Sequence, residues 1–294
     1  MEVVYVKKYD EIYINKDICV AIGNFDGLHL GHMSLINQVY KSELAKGIIT
    51  FTNHPSSYVS NEIKQILSLE DKIKELSNLD YLIILDFNEE LKNLSADDFI
   101  KFLQKNNIKE VVCGKDFRFG KNRIGDINLL AKNFKLDVKD DVYLEGVKVS
   151  STLIRTKLKL GEIETVNKLI NRIYKISGKV VDGNKQGRKI GFPTANLEPY
   201  DYLIPSTGVY ATKVLIDGKL YNSMTNIGHN PTFNMSENLK VETYILDFDK
   251  DIYGEEISIY FYKKIRDEKK FDSVSKLVLE LGKNKIEIVK YFKK

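Results

Sequence analysis

Gly23-Asn-Phe-Asp-Gly-Leu-His-Leu-Gly-His32 is the stretch that decides how the first half of this chain folds. It follows the apolar run Ile18-Cys-Val-Ala-Ile22 and opens onto a segment whose Leu35, Ile36 and Val39 share a helical face. Strand, glycine-rich turn and helix in succession place unpaired backbone N–H groups and the positive end of a helix dipole where a phosphate can sit. Gly23, Gly27 and Gly31 allow close approach of a ligand to the backbone, with Phe25 and Asp26 between them. His29 and His32 are three residues apart, so a helix beginning there puts both on one face. Charge that grows on an α-phosphorus during nucleotidyl transfer is stabilised by such fixed donors. The plainer alternative is a pair of partly exposed histidines at a helix start. No G-x-x-x-x-G-K-[ST] occurs, so a P-loop does not compete.

Composition narrows the classes. The chain has 294 residues, 43% hydrophobic and 29% charged, with a formal net charge of +4. That length accommodates two domains, and charge so balanced argues against a nucleic-acid binder. No apolar run reaches the length of a membrane span, and the opening Met-Glu-Val-Val-Tyr-Val-Lys-Lys lacks a signal-peptide pattern. Cys19 and Cys113 each lie in an apolar run and read as buried free thiols. A cytoplasmic protein, monomeric or weakly homo-oligomeric, is the expectation.

Through residue 172, short apolar runs alternate with helical segments. Ile18–Ile22, 47–52, Tyr81–Leu85 and 110–113 read as strands; 33–46, 69–79 and 95–106 read as helices, the last with Ser95 as N-cap. This is the pattern of an open parallel sheet, whose ligands gather at the carboxyl ends of its strands. Three further stretches fall at such ends. Thr50-Phe-Thr-Asn-His-Pro55 holds His54 in extended backbone before a proline. Gly114-Lys-Asp-Phe-Arg-Phe-Gly120 offers Asp116, Phe117 and Arg118; Phe117 or Phe119 could stack on a flat heterocycle or equally belong to the core, and Arg118 suits a phosphate. Val149-Ser-Ser-Thr-Leu-Ile-Arg155 sets Ser151 and Thr152 at a helix start with Arg155 one turn on, an anion cradle or a simple cap.

From residue 173 the period changes to two. Five β-like segments cover 174–181, 209–216, 220–227, 241–248 and 257–262, with Asp217-Gly218 as a hairpin signal. They suggest a small antiparallel barrel closed by a helix over 272–292. The loop Gly183-Asn-Lys-Gln-Gly-Arg-Lys-Ile-Gly-Phe-Pro-Thr-Ala-Asn196 could wrap phosphates through Gly187, Arg188 and Gly191. Thr194 and Asn196 supply hard oxygen ligands suited to Mg²⁺ on a nucleotide. Read locally, the same loop is also an ordinary basic surface segment.

His-x-Gly-His resembles the signature of the nucleotidyltransferase superfamily. The four N-terminal stretches, in order, resemble the adenylylating module of the prokaryotic bifunctional FAD synthetases. The departures are a short connection from the first helix to Gly47 and Thr52-Asn53 before His54-Pro55. Gly191-Phe-Pro-Thr-Ala-Asn196 resembles the riboflavin kinase hallmark, and 208–211, 226–233, 241–244, 251–254 and 266–271 match that family's pieces in order; the last twenty or so residues match less well. The resemblance implies a Rossmann-like nucleotidyltransferase domain over 1–172 and a β-barrel riboflavin kinase domain over 173–294. It implies ATP and Mg²⁺ as co-substrate and metal, and riboflavin, FMN and FAD as substrates and products. It gives His29 and His32 the α-phosphoryl transition state, Ser151, Thr152 and Arg155 the ATP phosphates, Glu242 the role of general base, and Arg266 a place beside the flavin. His54, Asp116, Phe117 and Arg118 are weaker flavin-side candidates. Two other readings stay open at this point: adenylylation of a different acceptor with the barrel as a sensor, and a barrel that binds RNA.

Overall fold

β2 (Ile18–Ile22) is buried at every position. Ile18, Val20 and Ile22 join one apolar cluster while Cys19 and Ala21 join another on the opposite face. A strand covered on both sides reads as a continuous apolar run, which is how parallel sheets announce themselves. The computed structural model describes residues 1–8, 14–52, 64–183, 186–229 and 239–293. His54, Asn184 and Lys185 lie outside the described residues.

β1 (Glu2–Val6), β3 (Ala45–Phe51), β4 (Tyr81–Leu85), β5 (Ile108–Gly114) and β6 (Lys135–Lys139) join β2 in the order β1-β4-β3-β2-β5-β6. Every pairing is parallel. The helices that cross between them are α1 (Leu30–Val39), α2 (Leu69–Glu75), α3 (Glu89–Asn93), α4 (Ala96–Lys105) and α5 (Ile127–Ala131). From β2 the chain moves outward through β3 and β4, then returns to lay β5 on the other side of β2. That reversal opens a crevice at the carboxyl ends of β2 and β5, where ligands of open α/β sheets bind. α1 ends at Val39, well short of the 46 that periodicity suggests. Ala45, Lys46 and Gly47 are drawn into register with Ile18, Cys19 and Val20 instead, and strand pairing outweighs local helical preference. At Gly47 a Cβ would stand 2.5 Å from Ile18 Cδ1, so a larger residue there would have to push the Ile18 side chain aside.

A short hairpin follows, β7 (Tyr143–Leu144) and β8 (Val147–Lys148), then helices α6 (Ser151–Leu160) and α7 (Ile163–Ile170). Two compact units result, Met1–Ser151 and Thr152–Lys294. The helices over 152–170 thus fall with the barrel rather than with the sheet. One cause is Asn167 on α7: its amide donates to the Phe261 carbonyl at 2.9 Å and its oxygen accepts from Tyr174 N at 2.7 Å.

The second unit is a closed antiparallel barrel of six strands: β9 (Tyr174–Val181), β10 (Ala195–Pro199), β11 (Gly208–Ile216), β12 (Lys219–His229), β13 (Leu239–Ile245) and β14 (Glu256–Arg266), in the order β10-β13-β12-β11-β14-β9. Asp217 and Gly218 turn β11 into β12 with φ of 48° and 76°, as a tight hairpin of this kind requires. The interior holds Tyr174, Tyr210 and Phe261 together with a ladder of buried hydroxyls, Thr212, Ser223, Thr225 and Thr243, bonded at 2.7–2.9 Å. The one-turn α8 (Gln186–Lys189) precedes β10, and α9 (Val274–Phe292) packs against β12.

Candidate active sites

In the first unit the turn after β2 is held in an unusual conformation. Phe25, Gly27 and Leu28 have φ of 50°, 84° and 39°, strain of a kind that clusters at functional sites. Its supports are internal. Phe25 is fully buried, Asp26 Oδ1 accepts from Ile66 N at 3.0 Å, and Ser151 Oγ donates to the Asp26 carbonyl at 2.9 Å. Phe25 and Asp26 therefore build the loop with their side chains, and what they present to a ligand is backbone. A Cβ at Gly27 would meet Ile66 Cγ2 at 2.9 Å.

His29 is the N-cap of α1, its Nδ1 accepting from His32 N at 3.3 Å. An accepting Nδ1 leaves the proton of a neutral ring on Nε2. The two imidazoles stack, centroids 3.6 Å apart and 16° from parallel, with the Phe25 ring 5.2 Å from His32. A Cβ at Gly31 would come within 3.1 Å of the His29 ring. The pair is thus fixed at the helix N-terminus, where the backbone dipole favours an anion.

The Gly114–Gly120 loop leaves the carboxyl end of β5. Phe119 is buried and Phe117 half-buried against the core, their rings stacked at 5.8 Å. Asp116 is exposed and bonds Lys148 at 3.2 Å; Arg118 is exposed and donates to the Phe117 carbonyl. Thr152 and Arg155 stand on the first turns of α6, which Ser151 begins.

In the second unit, a cleft of about 600 Å³ brings together Gly187, Thr194, Asn196, Glu242 and Arg266. Asn196 on β10 is in register with Glu242 on β13, which is in register with Asn226 on β12. The three polar side chains thus form one row across three strands. Asn196 is 6% exposed, and among the described residues its buried Oδ1 has no hydrogen-bond partner, an arrangement that wants a cation or a donor. Glu242 is held by Lys240 at 2.6 Å. Arg266 donates from Nε to Asn284 Oδ1 of α9 at 2.9 Å and lies 5.6 Å from the Phe271 ring; burial lowers its pKa, with Glu280 opposing. Phe192 and Tyr244 meet edge to face at 5.2 Å in the same wall. Arg188 faces a second cleft, of about 400 Å³, that shares Thr194 with the first and also carries Lys250 and Tyr253. Gly191 (φ 81°) lines neither. Among the described residues no group of three or more His, Cys, Asp or Glu could hold a metal. A site of one hydroxyl and one amide oxygen fits Mg²⁺ carried in on nucleotide phosphates, not a caged ion.

Asn226, Lys240, Tyr244, Phe271 and Asn284 are additions to the sequence-derived set. Asn226, Tyr244 and Phe271 lie inside family-like segments, so a signal existed for them. Lys240 is two residues from Glu242 on β13 and so shares its face, while Asn284 becomes visible only when α9 packs on the barrel.

Family models match both halves: FAD synthetase over residues 11–153 and riboflavin kinase over 170–292. A bifunctional riboflavin kinase/FMN adenylyltransferase from Listeria monocytogenes is 38% identical over 296 residues, covering 96% of this chain and 94% of its own. The chain belongs to the bifunctional riboflavin kinase/FMN adenylyltransferase family. The Escherichia coli K12 member of this family is 32% identical, covering 93% of each chain. A crystal structure described as a macrolide-efflux protein from Streptococcus pneumoniae superposes with a TM-score of 0.89 at 32% identity, over 96% of this chain and 97% of that one. Among the described residues of this family member no helix is long and apolar enough to cross a membrane.

Proposed function

We propose that the row Asn196–Glu242–Asn226, with the orphaned Asn196 oxygen beside the carboxylate, is where the barrel phosphorylates riboflavin. The protein carries out two ATP-dependent reactions: riboflavin and ATP give FMN and ADP, then FMN and a second ATP give FAD and pyrophosphate. The riboflavin kinase match covers the barrel and the FAD synthetase match covers the sheet.

In the barrel, the nucleotide lies across Thr194 and Asn196, where the two clefts meet, and the isoalloxazine ring lies in the larger one against Phe192, Tyr244 and Phe271. Glu242 accepts the proton of the ribityl 5′-hydroxyl as its oxygen attacks the γ-phosphorus. Lys240, 2.6 Å from Glu242 Oε1, fixes that carboxylate and leaves Oε2 for the hydroxyl. Arg266, braced by Asn284, lies on the flavin side. Gly187 and Arg188 approach the phosphates, with Gly191 shaping the turn. Thr194 and Asn196 would hold Mg²⁺; when bound, the ion neutralises charge on the β- and γ-phosphates.

In the sheet unit, the oxygen of the FMN phosphate attacks the α-phosphorus of ATP and pyrophosphate leaves. The stacked imidazoles of His29 and His32 donate toward the non-bridging oxygens and form no covalent bond. The backbone N–H of Gly31, in the first turn of α1, adds to this field; that of Gly23 is spent on the Ile49 carbonyl at 3.1 Å. Ser151 is the sheet unit's candidate for the ATP phosphates; Thr152 and Arg155, which the resemblance also assigns to them, belong to the second compact unit. Asp116, Phe117, Arg118 and His54 are flavin-side candidates. A cytoplasmic protein, monomeric or weakly self-associating and without affinity for nucleic acid, completes the reading; its supports are the free buried thiols and the balanced charge.

Incubation with riboflavin, ATP and Mg²⁺ followed by chromatographic separation of the flavins tests the reading. FMN should form first and FAD after it. Absence of both products from folded protein would refute it.

A further inference from the structure

α2 spends one of its inward positions on a lysine. Leu69 and Ile73 pack on the apolar cluster beneath it and Leu76, its C-cap, is buried there, yet Lys72 between them is only 5% exposed. Its ammonium donates to the Asn24 carbonyl at 2.9 Å and to the Thr50 hydroxyl at 3.2 Å. Thr50, itself fully buried on β3, donates to the same carbonyl at 3.0 Å. The three groups close a ring around one peptide oxygen. That oxygen belongs to the residue immediately before Phe25, where the backbone enters the left-handed region on its way to His29.

An apolar side chain would satisfy the packing of α2 without burying a charge, and a buried ammonium is costly wherever it occurs. Such a cost is tolerated where the geometry it enforces is needed. Burial lowers the Lys72 pKa from 10.5 to about 8, and the Asp26 carboxylate opposes the fall. Asp26 is the charge that faces this amine from the loop; Asn24 and Thr50 present neutral acceptors.

We propose that Lys72 is a positioning residue for adenylyl transfer: its protonated amine locks the Asn24 carbonyl and, through it, the turn that aims the stacked His29 and His32. The proposal rests on the reading of the Gly23–His32 loop as the adenylylation site. Charge-assisted hydrogen bonds are about twice as strong as neutral ones. The turn is therefore held firmly while Lys72 carries its proton and loosens once the proton leaves.

The test is the pH profile of FAD formation from supplied FMN and Mg·ATP, between about pH 7 and pH 9.5, bracketing the lowered value. In the unaltered protein kcat should fall through a limb centred near pH 8. Lys72→Met should show kcat on the order of tenfold or more lower, the limb gone, and the thermal midpoint of the first unit no lower than before. A lysine that merely supported the fold would lose stability together with activity. Riboflavin phosphorylation in the same preparation should be unchanged. Should Lys72→Met fail to fold, the unaltered protein still decides: a flat profile across pH 8 overturns the proposal. So does a folded Lys72→Met that keeps both the limb and the rate. His32→Ala, run alongside, separates the two layers. If it keeps FAD formation, the site reading fails; if it abolishes FAD formation while Lys72→Met behaves as unaltered protein, only the role of Lys72 fails.

Discussion

Gly183→Ala should damage phosphorylation of riboflavin while leaving formation of FAD from FMN intact. Gly183 follows β9 and faces β10, and a Cβ there would stand 1.9 Å from Asn196 Nδ2, 2.5 Å from Cγ and 2.8 Å from Oδ1. Ordinary contact begins near 3.4 Å, so the amide must move by about 1.5 Å. The Asn196 backbone has no room to yield, since β10 is bonded to β9 on one side and β13 on the other. The side chain must rotate instead, which carries its orphaned Oδ1 away from the position where a metal-bound nucleotide would meet it. Displacing a group that orients a ligand costs roughly 10- to 100-fold in metal affinity or activity, and a 1 Å misplacement can cost about 100-fold. The concentration of Mg·ATP for half-maximal FMN formation should therefore rise by about 10- to 100-fold. Initial rates of FMN formation with Mg·ATP varied measure this, and FAD formation in the same sample serves as the internal control. A folded Gly183→Ala protein whose half-saturating Mg·ATP and kcat stay within about twofold, a change under about 0.5 kcal/mol, would remove Asn196 from the nucleotide site.

Lys72 also makes a prediction about stability. Its pKa falls from 10.5 unfolded to about 8 folded, so the unfolded chain holds the proton more tightly. The buried charge then costs about 3 kcal/mol at pH below about 8, and the cost fades as pH rises from about 8 toward 10.5. Urea unfolding of the first unit should show stability rising across that window in the unaltered protein relative to Lys72→Met; parallel curves would contradict the burial. Cys19 and Cys113 are buried thiols pushed up to about 11. Both should resist iodoacetamide near pH 8 in native protein and react after denaturation; rapid native labelling would contradict their placement.

Much of the framework could be read from local chemistry. Ile18–Ile22 is apolar throughout because both faces of its strand are covered. Ser95 caps α4 by accepting from Asp98 N at 3.0 Å, and Phe99, Phe102 and Leu103 form its buried stripe. Asp217-Gly218 makes its hairpin for reasons contained in two residues. What escaped the sequence depends on partners far along the chain. Ala195-Asn196 reads as the end of a loop, yet it begins β10 because Val181 and Glu242 flank it. Residues 45–46 continue a helical pattern until β2 claims them. Lys72 sits in Leu-Glu-Asp-Lys-Ile-Lys-Glu, a segment that looks like any solvated helix, and only the loop packed over it makes it a buried cation. Arg266 is legible as a family-like residue, but Asn284, which orients it, lies in the C-terminal segment where the resemblance is thinnest.

Two reactions assigned to two compact units imply that each can be removed without the other and then restored by mixture. His32→Ala should stop at FMN, and Glu242→Gln should convert supplied FMN to FAD but make none from riboflavin. Equimolar His32→Ala and Glu242→Gln, given riboflavin, ATP and Mg²⁺, should produce FAD that neither variant yields alone. If the mixture of two folded variants accumulates no FAD, or either variant alone completes the sequence, the assignment of one reaction to each unit is wrong.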